Sequence, residues 1–229
     1  MQVGEGTIYG IELDVSGQLC ALISCPANLI PAPGQYILAH KAMDDLPMPM
    51  PPLFLLRRTS NGFLSAPPVP ESWHPGTSLV MRGPLGKGFK LPGNVRKLAL
   101  LAMGSTSSRL LAILELLKIG DVAKALFTDL RLTSLPIEIE VHPLAAFSDF
   151  HSWADLILVD LPLEMLPDLA DLVAVRSLNE LTRESQVLLT TDMPCGAIAD
   201  CGACAVKTRK GWKLVCKDGP VLNLADLEL

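Results

Sequence analysis

Four of the six cysteines lie within 22 residues, as Cys195, Cys201, Cys204 and Cys216, spaced C-x5-C-x2-C-x11-C. Thiolates are soft ligands, so such a group points to an iron–sulfur centre or to a four-thiolate zinc site. Structural zinc sites favour two short knuckles, whereas here three thiols crowd one loop and the fourth stands apart, an asymmetry that favours iron. Gly196 and Gly202 would let backbone N–H groups approach cluster sulfides, and the small Ala197, Ala199 and Ala203 leave room for them. Cys20 and Cys25 lie in and just after an apolar stretch and read as small buried hydrophobes.

The plant-type [2Fe–2S] loop is C-x4-C-x2-C with a more distant fourth cysteine; this chain carries that pattern with one extra residue in its first interval. A bulge after Cys195 is the expected accommodation. The segment 193–229 is too short to bury a core of its own, so a bound centre is expected to organise it.

The elements that must position these thiols follow from pattern. Residues 1–92 carry short, partly alternating apolar stretches broken by glycine and proline: GTIYGIELDV, QLCALISCP, GQYILAHKA, LFLLRRTS and TSLVMRGPLG. They predict a small antiparallel barrel or sandwich, with loops at the proline-rich LPMPMPP (46–52) and APPVPES (66–72). From residue 97 the rhythm becomes βα alternation: strand-like KLALLAMG, SLPIEIEVHP, ADLILVDLP and QVLLTTD, with helical SSRLLAILELLKIG and LEMLPDLADLVAVRSL between them. Continuous apolar strands separated by helices predict a Rossmann-like parallel sheet covered on both faces over 93–191. Ser105, Thr106 and Ser107 read as a helix start and Gly120 as its stop. The expected fold class is thus α/β plus β: barrel 1–92, Rossmann-like domain 93–191 and [2Fe–2S] tail 192–229.

A length of 229 residues supports a core without covalent staples, so stability alone does not call for the cysteines. A net charge of −5 with no basic block excludes an electrostatic footprint for nucleic acid. Mean hydropathy is +0.37, yet aliphatic runs are too short to span a bilayer. The opening MQVGEGTIYGIELD does not read as a secretory signal, so a reducing, cytoplasmic setting is expected, where thiols serve metals or redox chemistry. Asp160 and Glu164 at a strand end read as a cap or solvated face, and Trp212 as a strand residue packing beside the thiols.

The C-terminal block resembles the electron-transfer subunit of heteromeric, NAD-linked dihydroorotate dehydrogenases. The matching residues are Met193, Cys195, Gly196, Cys201, Cys204 and VCKDGPV at 215–221, with PGQY at 33–36 and GPLGKGF at 83–89 in support. Within LLRRTS, the resemblance to the Arg-x-x-Ser motif of the ferredoxin-reductase superfamily would place Arg57 at the pyrophosphate of FAD and Thr59 or Ser60 at its isoalloxazine ring. It implies a flavin barrel, a nucleotide-binding fold for NAD(H) and a [2Fe–2S] tail. It further implies an FMN-containing catalytic partner in a heterotetramer, and oxidation of dihydroorotate in pyrimidine biosynthesis. Two departures stand out. Only 22 residues separate Ser60 from Gly83, where the family places a segment contacting the FAD phosphate, and MGSTSSRL offers Gly104 alone where the family has a glycine-rich turn. A flavin-free ferredoxin-like relay and a zinc-stabilised scaffold subunit are the alternative readings.

Overall fold

The structure is a computed structural model that describes residues 2–42, 50–117, 122–173 and 184–228. Six antiparallel strands form a closed barrel: β1 (Gln2–Leu13), β2 (Leu19–Ser24), β3 (Tyr36–Lys41), β4 (Pro52–Thr59), β5 (Gly62–Ser65) and β6 (Ser78–Leu85), in the order β1-β2-β5-β4-β3-β6. Closure leaves no open sheet edge. Ile8, Ile23, Ile37, Leu53, Leu55, Phe63 and Leu79 fill it, all fully buried, each adding roughly 1.5–3 kcal/mol of apolar burial. Four of the five predicted apolar stretches became whole strands and the fifth became the C-terminal part of β1. The added strand, β5, is four residues long, too short to show periodicity.

The second unit is a six-stranded sheet in the order β14-β11-β10-β7-β8-β9. β7 (Lys97–Ala102), β8 (Ala123–Phe127), β9 (Ile139–His142), β10 (Leu156–Pro162) and β11 (Glu184–Thr190) run parallel. The central strands are continuous apolar runs because both their faces are covered. The last strand, β14 (Val221–Asn223), comes from the tail and pairs antiparallel with β11. The cysteine segment is therefore tied into the sheet edge. Between them lies the two-stranded hairpin of β12 (Ala205–Thr208) and β13 (Gly211–Leu214).

The helical cover is thinner than expected. After β7 there is one α turn, α1 (Ser108–Leu111), continued as a 3-10 turn over Ala112–Leu116. Ser108 to Ile113 are buried without interruption, so this segment has no solvated face and is held by packing rather than by helix propensity. Gly120, expected to stop it, lies outside the described residues. α2 (Phe147–Phe150) is one turn, and the described part of the helix expected at 163–178 opens with a 3-10 turn over Leu163–Met165 and continues as α3 (Leu166–Leu172). Among the described residues no helix is long and apolar enough to cross a membrane.

Candidate iron–sulfur centre

After β11 the chain reverses through a loop whose backbone the sequence makes possible. Gly196 and Gly202 have φ of 52° and 78°, in the left-handed region open to glycine, and Ala197 follows Gly196 there with φ 64°. Backbone bonds Gly196 N–H to Met193 C=O (2.8 Å) and Ile198 N–H to Cys195 C=O (3.1 Å) close two successive turns. These turns open the five-residue interval between Cys195 and Cys201. Beyond Cys204 the β12–β13 hairpin carries the chain out and back, so that Val215 N–H reaches the Cys204 carbonyl at 3.0 Å and returns Cys216 to Cys204.

The thiols meet in two pairs. Cys216 N–H donates to the Cys204 sulfur at 3.5 Å, and both residues are 1% exposed. Cys195 and Cys201 form the outer pair, Cys195 half-buried and Cys201 exposed. A hydrogen bond with Cys201, helped by backbone groups of Ala199 and Ala197, brings the Cys195 thiol down to about 7. Burial first, and Cys204 beside it second, push the Cys216 thiol up to about 12. Cys216 thus takes the form of a neutral thiol until a cation compensates the buried charge. Among the described residues no three His, Cys, Asp or Glu side chains converge as they would around one ion.

The barrel holds this loop by backbone carbonyls. Tyr36 Oη donates to the Cys216 carbonyl at 2.8 Å, Arg82 on β6 donates from its guanidinium to the Gly196 carbonyl, and Lys87 N–H donates to the Gly219 carbonyl at 2.6 Å. Arg82 went unnoticed in the sequence, although one arginine inside the apolar stretch LVMRGPL is a usable sign of a buried cation with a specific acceptor. Trp212 does lie on a strand, but it is 69% exposed on the hairpin and does not pack beside the thiols. Its position opposite Lys207 sends the ring to solvent.

The residues aligned with a flavin motif lie at the end of β4 and in the turn that follows it. Arg57 forms an ion pair with Glu12 (2.7 Å), Thr59 accepts a hydrogen bond from Tyr9 Oη (3.3 Å), and Ser60 is exposed in the β4–β5 turn. The face of β4 that looks toward the sheet is covered by the segment after β7: the Arg109 guanidinium lies 5.7 Å from the Phe54 ring centroid, and Arg58 pairs with Glu115. Asp160, read as a cap or solvated acid, is instead fully buried and receives both Nε (2.8 Å) and Nη2 (3.0 Å) of Arg109. Nor does Ser107 cap the helix. Thr106 and Ser108 instead donate to Asp14 at 3.1 and 2.8 Å. A crevice of about 430 Å³ remains at the carboxyl ends of β7, β10 and β11, floored by Phe54 and rimmed by Glu164 and Asp192.

Residues 191–228 match the family described as the iron–sulfur cluster binding domain of dihydroorotate dehydrogenase B. A comparison with curated proteins gave no match. Among solved structures, an NADH-dependent reduced ferredoxin-NADP oxidoreductase studied for flavin-based electron bifurcation superposes with TM-score 0.73 at 17% identity, covering 97% of this chain and 89% of that one. The ferredoxin reductase of carbazole 1,9a-dioxygenase gives 0.57 at 17% identity, covering 76% and 64%; ferredoxin-NADP+ reductase from Plasmodium falciparum gives 0.55 at 9%, covering 76% and 90%. At these identities the likeness shows the fold. Barrel, parallel sheet and cysteine loop together give this chain a ferredoxin-reductase-like fold whose residues 191–228 match the iron–sulfur cluster binding domain of dihydroorotate dehydrogenase B.

Proposed function

We propose that this chain is an electron-transfer subunit in which Cys195, Cys201, Cys204 and Cys216 ligate a [2Fe–2S] cluster. The observation that carries the reading is the set of four closely spaced cysteines, with Cys216 N–H on the buried Cys204 sulfur, within the segment matched to a cluster-binding family. Two irons bridged by sulfide take two thiolates each, whereas one tetrahedral zinc would draw all four sulfurs to a single point. The cluster would supply one-electron transfer. The protein supplies a loop with small residues, an inner pair sealed from water and an outer pair at the surface, where a partner's redox centre can approach.

By family resemblance the partner is the FMN-containing dihydroorotate dehydrogenase catalytic subunit, in a two-plus-two heterotetramer that oxidises dihydroorotate in pyrimidine biosynthesis and passes electrons toward an acceptor such as NAD. A cytoplasmic setting keeps the thiols reduced until iron arrives. FAD on the barrel, implied through Arg57, Thr59 and Ser60, is not needed for this reading.

The test is anaerobic purification followed by the visible spectrum with iron, sulfide and zinc determined per chain. Equal, stoichiometric iron and sulfide with a charge-transfer spectrum are expected, and Cys201→Ser should lose both. Zinc in place of iron, or a variant with unchanged iron, would overturn the assignment.

A further inference from the structure

A flavin on this barrel would need the outer face of β4. Alternate residues of a strand face opposite sides, and on β4 Leu53 and Leu55 join the barrel core while Phe54 joins the core of the sheet. Ahead of the bulge that shifts the β4–β5 register between Leu55 and Arg57, the outward residues are therefore Phe54 and Leu56. The chain itself lies on this side. Arg109 covers the Phe54 ring, Glu115 takes both the backbone N–H and the guanidinium of Arg58, and Ala112 is buried so far that it belongs to the barrel core.

The cover is locked at its edges. Asp14, in the turn between β1 and β2, accepts from Thr106 and Ser108 and from the backbone N–H groups of Ser16 and Gln18 at 2.9 and 2.8 Å. Gln18 donates to the Ser105 carbonyl, and Thr133 N–H donates to the Val15 carbonyl at 2.7 Å. Polar groups that could have met a cofactor meet one another, at 7% exposure or less for Asp14, Thr106, Ser108 and Arg109. The open crevice does not replace the lost face. Among the described residues its one buried cation, Arg109, is committed to Asp160 and to the Pro67 carbonyl, and its rim carboxylates Glu164 and Asp192 would repel a pyrophosphate.

We infer that this chain carries no flavin of its own, because residues 108–116 pack on the outer side of β4 and the crevice left at Phe54 has, among the described residues, no buried cation free for a pyrophosphate, and that it exchanges electrons only with redox centres of other proteins. The inference rests on the cluster reading for its second half. A hydride brings two electrons and a [2Fe–2S] cluster takes one, so without a flavin to divide the pair this chain cannot be reduced by NADH directly. NADH must deliver its hydride to a flavin of another protein, which then passes single electrons to the cluster.

The test uses the full chain, purified anaerobically. Released flavin is measured, FAD in large excess is titrated while its fluorescence is followed, and NADH and dithionite are compared for bleaching of the visible bands. No released flavin, no quenching of FAD, and bleaching by dithionite but not by NADH are expected. Stoichiometric FAD, saturable quenching, or NADH bleaching without an added flavoprotein would overturn the inference. Iron in the same sample separates the two readings: FAD titration still decides the closed face when iron is missing, and missing iron counts against the cluster alone.

Discussion

The barrel offers two faces to the rest of the chain, and the two are used in opposite ways. Against β3 and β6 the cysteine tail is held at backbone carbonyls by Tyr36 and Arg82, which leaves all four sulfurs to a ligand. Beside β4 the segment after β7 is held side chain to side chain, through Thr106 and Ser108 on Asp14 of the β1–β2 turn and Arg109 on Asp160 of β10. One contact leaves its reactive groups available and the other consumes them. A barrel strand that faces a sheet is therefore not by itself a cofactor site; what matters is whether its polar neighbours are already paired.

The sharpest way to break this comparison is to remove a ligand from the first face. Cys204→Ser, in the inner pair, is expected to abolish iron and sulfide binding and to loosen the tail, seen as faster amide exchange in 195–216 with the barrel unchanged. Retained iron would place the cluster elsewhere. Next in size is Arg109→Met on the second face. It strands the buried Asp160 carboxylate and should cost about 3–5 kcal/mol in denaturant unfolding, while iron per folded chain stays the same. A neutral effect would show that the interface does not depend on the pair.

Acid sharpens the same contrast. Hydrogen bonds from Gln18, Ser108 and Ser16 outweigh burial and hold the Asp14 carboxyl below its ordinary value of 3.8. A depressed carboxylate stabilises the fold fully above its unfolded value and less as pH falls below it. Asp14→Asn should flatten the acid limb of the stability profile below about pH 4. An unchanged limb would put the acid sensitivity elsewhere.

Tyr36→Phe removes one buried hydrogen bond to the Cys216 carbonyl, for a loss of about 1 kcal/mol. It should also shift the cluster's potential, a readout that a purely structural tyrosine would leave alone. Trp212→Ala, on the exposed hairpin, should change stability by less than about 0.5 kcal/mol; a larger loss would mean that the ring packs after all.

Much of this was legible in sequence. Alternation with glycine and proline breaks is local, and it pointed to the barrel; continuous apolar runs marked β7, β10 and β11; cysteine spacing alone singled out the four thiols. β14 was not legible, since three residues acquire a strand's identity only by pairing with β11. The string of Arg57, Thr59 and Ser60 records residue types, and only the fold shows that Arg57 lies across from Glu12 and Thr59 from Tyr9.

Residue type and spacing by themselves determined the fold class and singled out the four thiols as candidate ligands, because periodicity and metal preference are properties of neighbours along the chain. Only the tertiary structure decided which side of β4 is open, which carboxylates are paired and which pair of thiols faces water. Those are matters of occupancy and burial, fixed by contacts between residues as far apart as Asp14 and Ser108, or Tyr36 and Cys216.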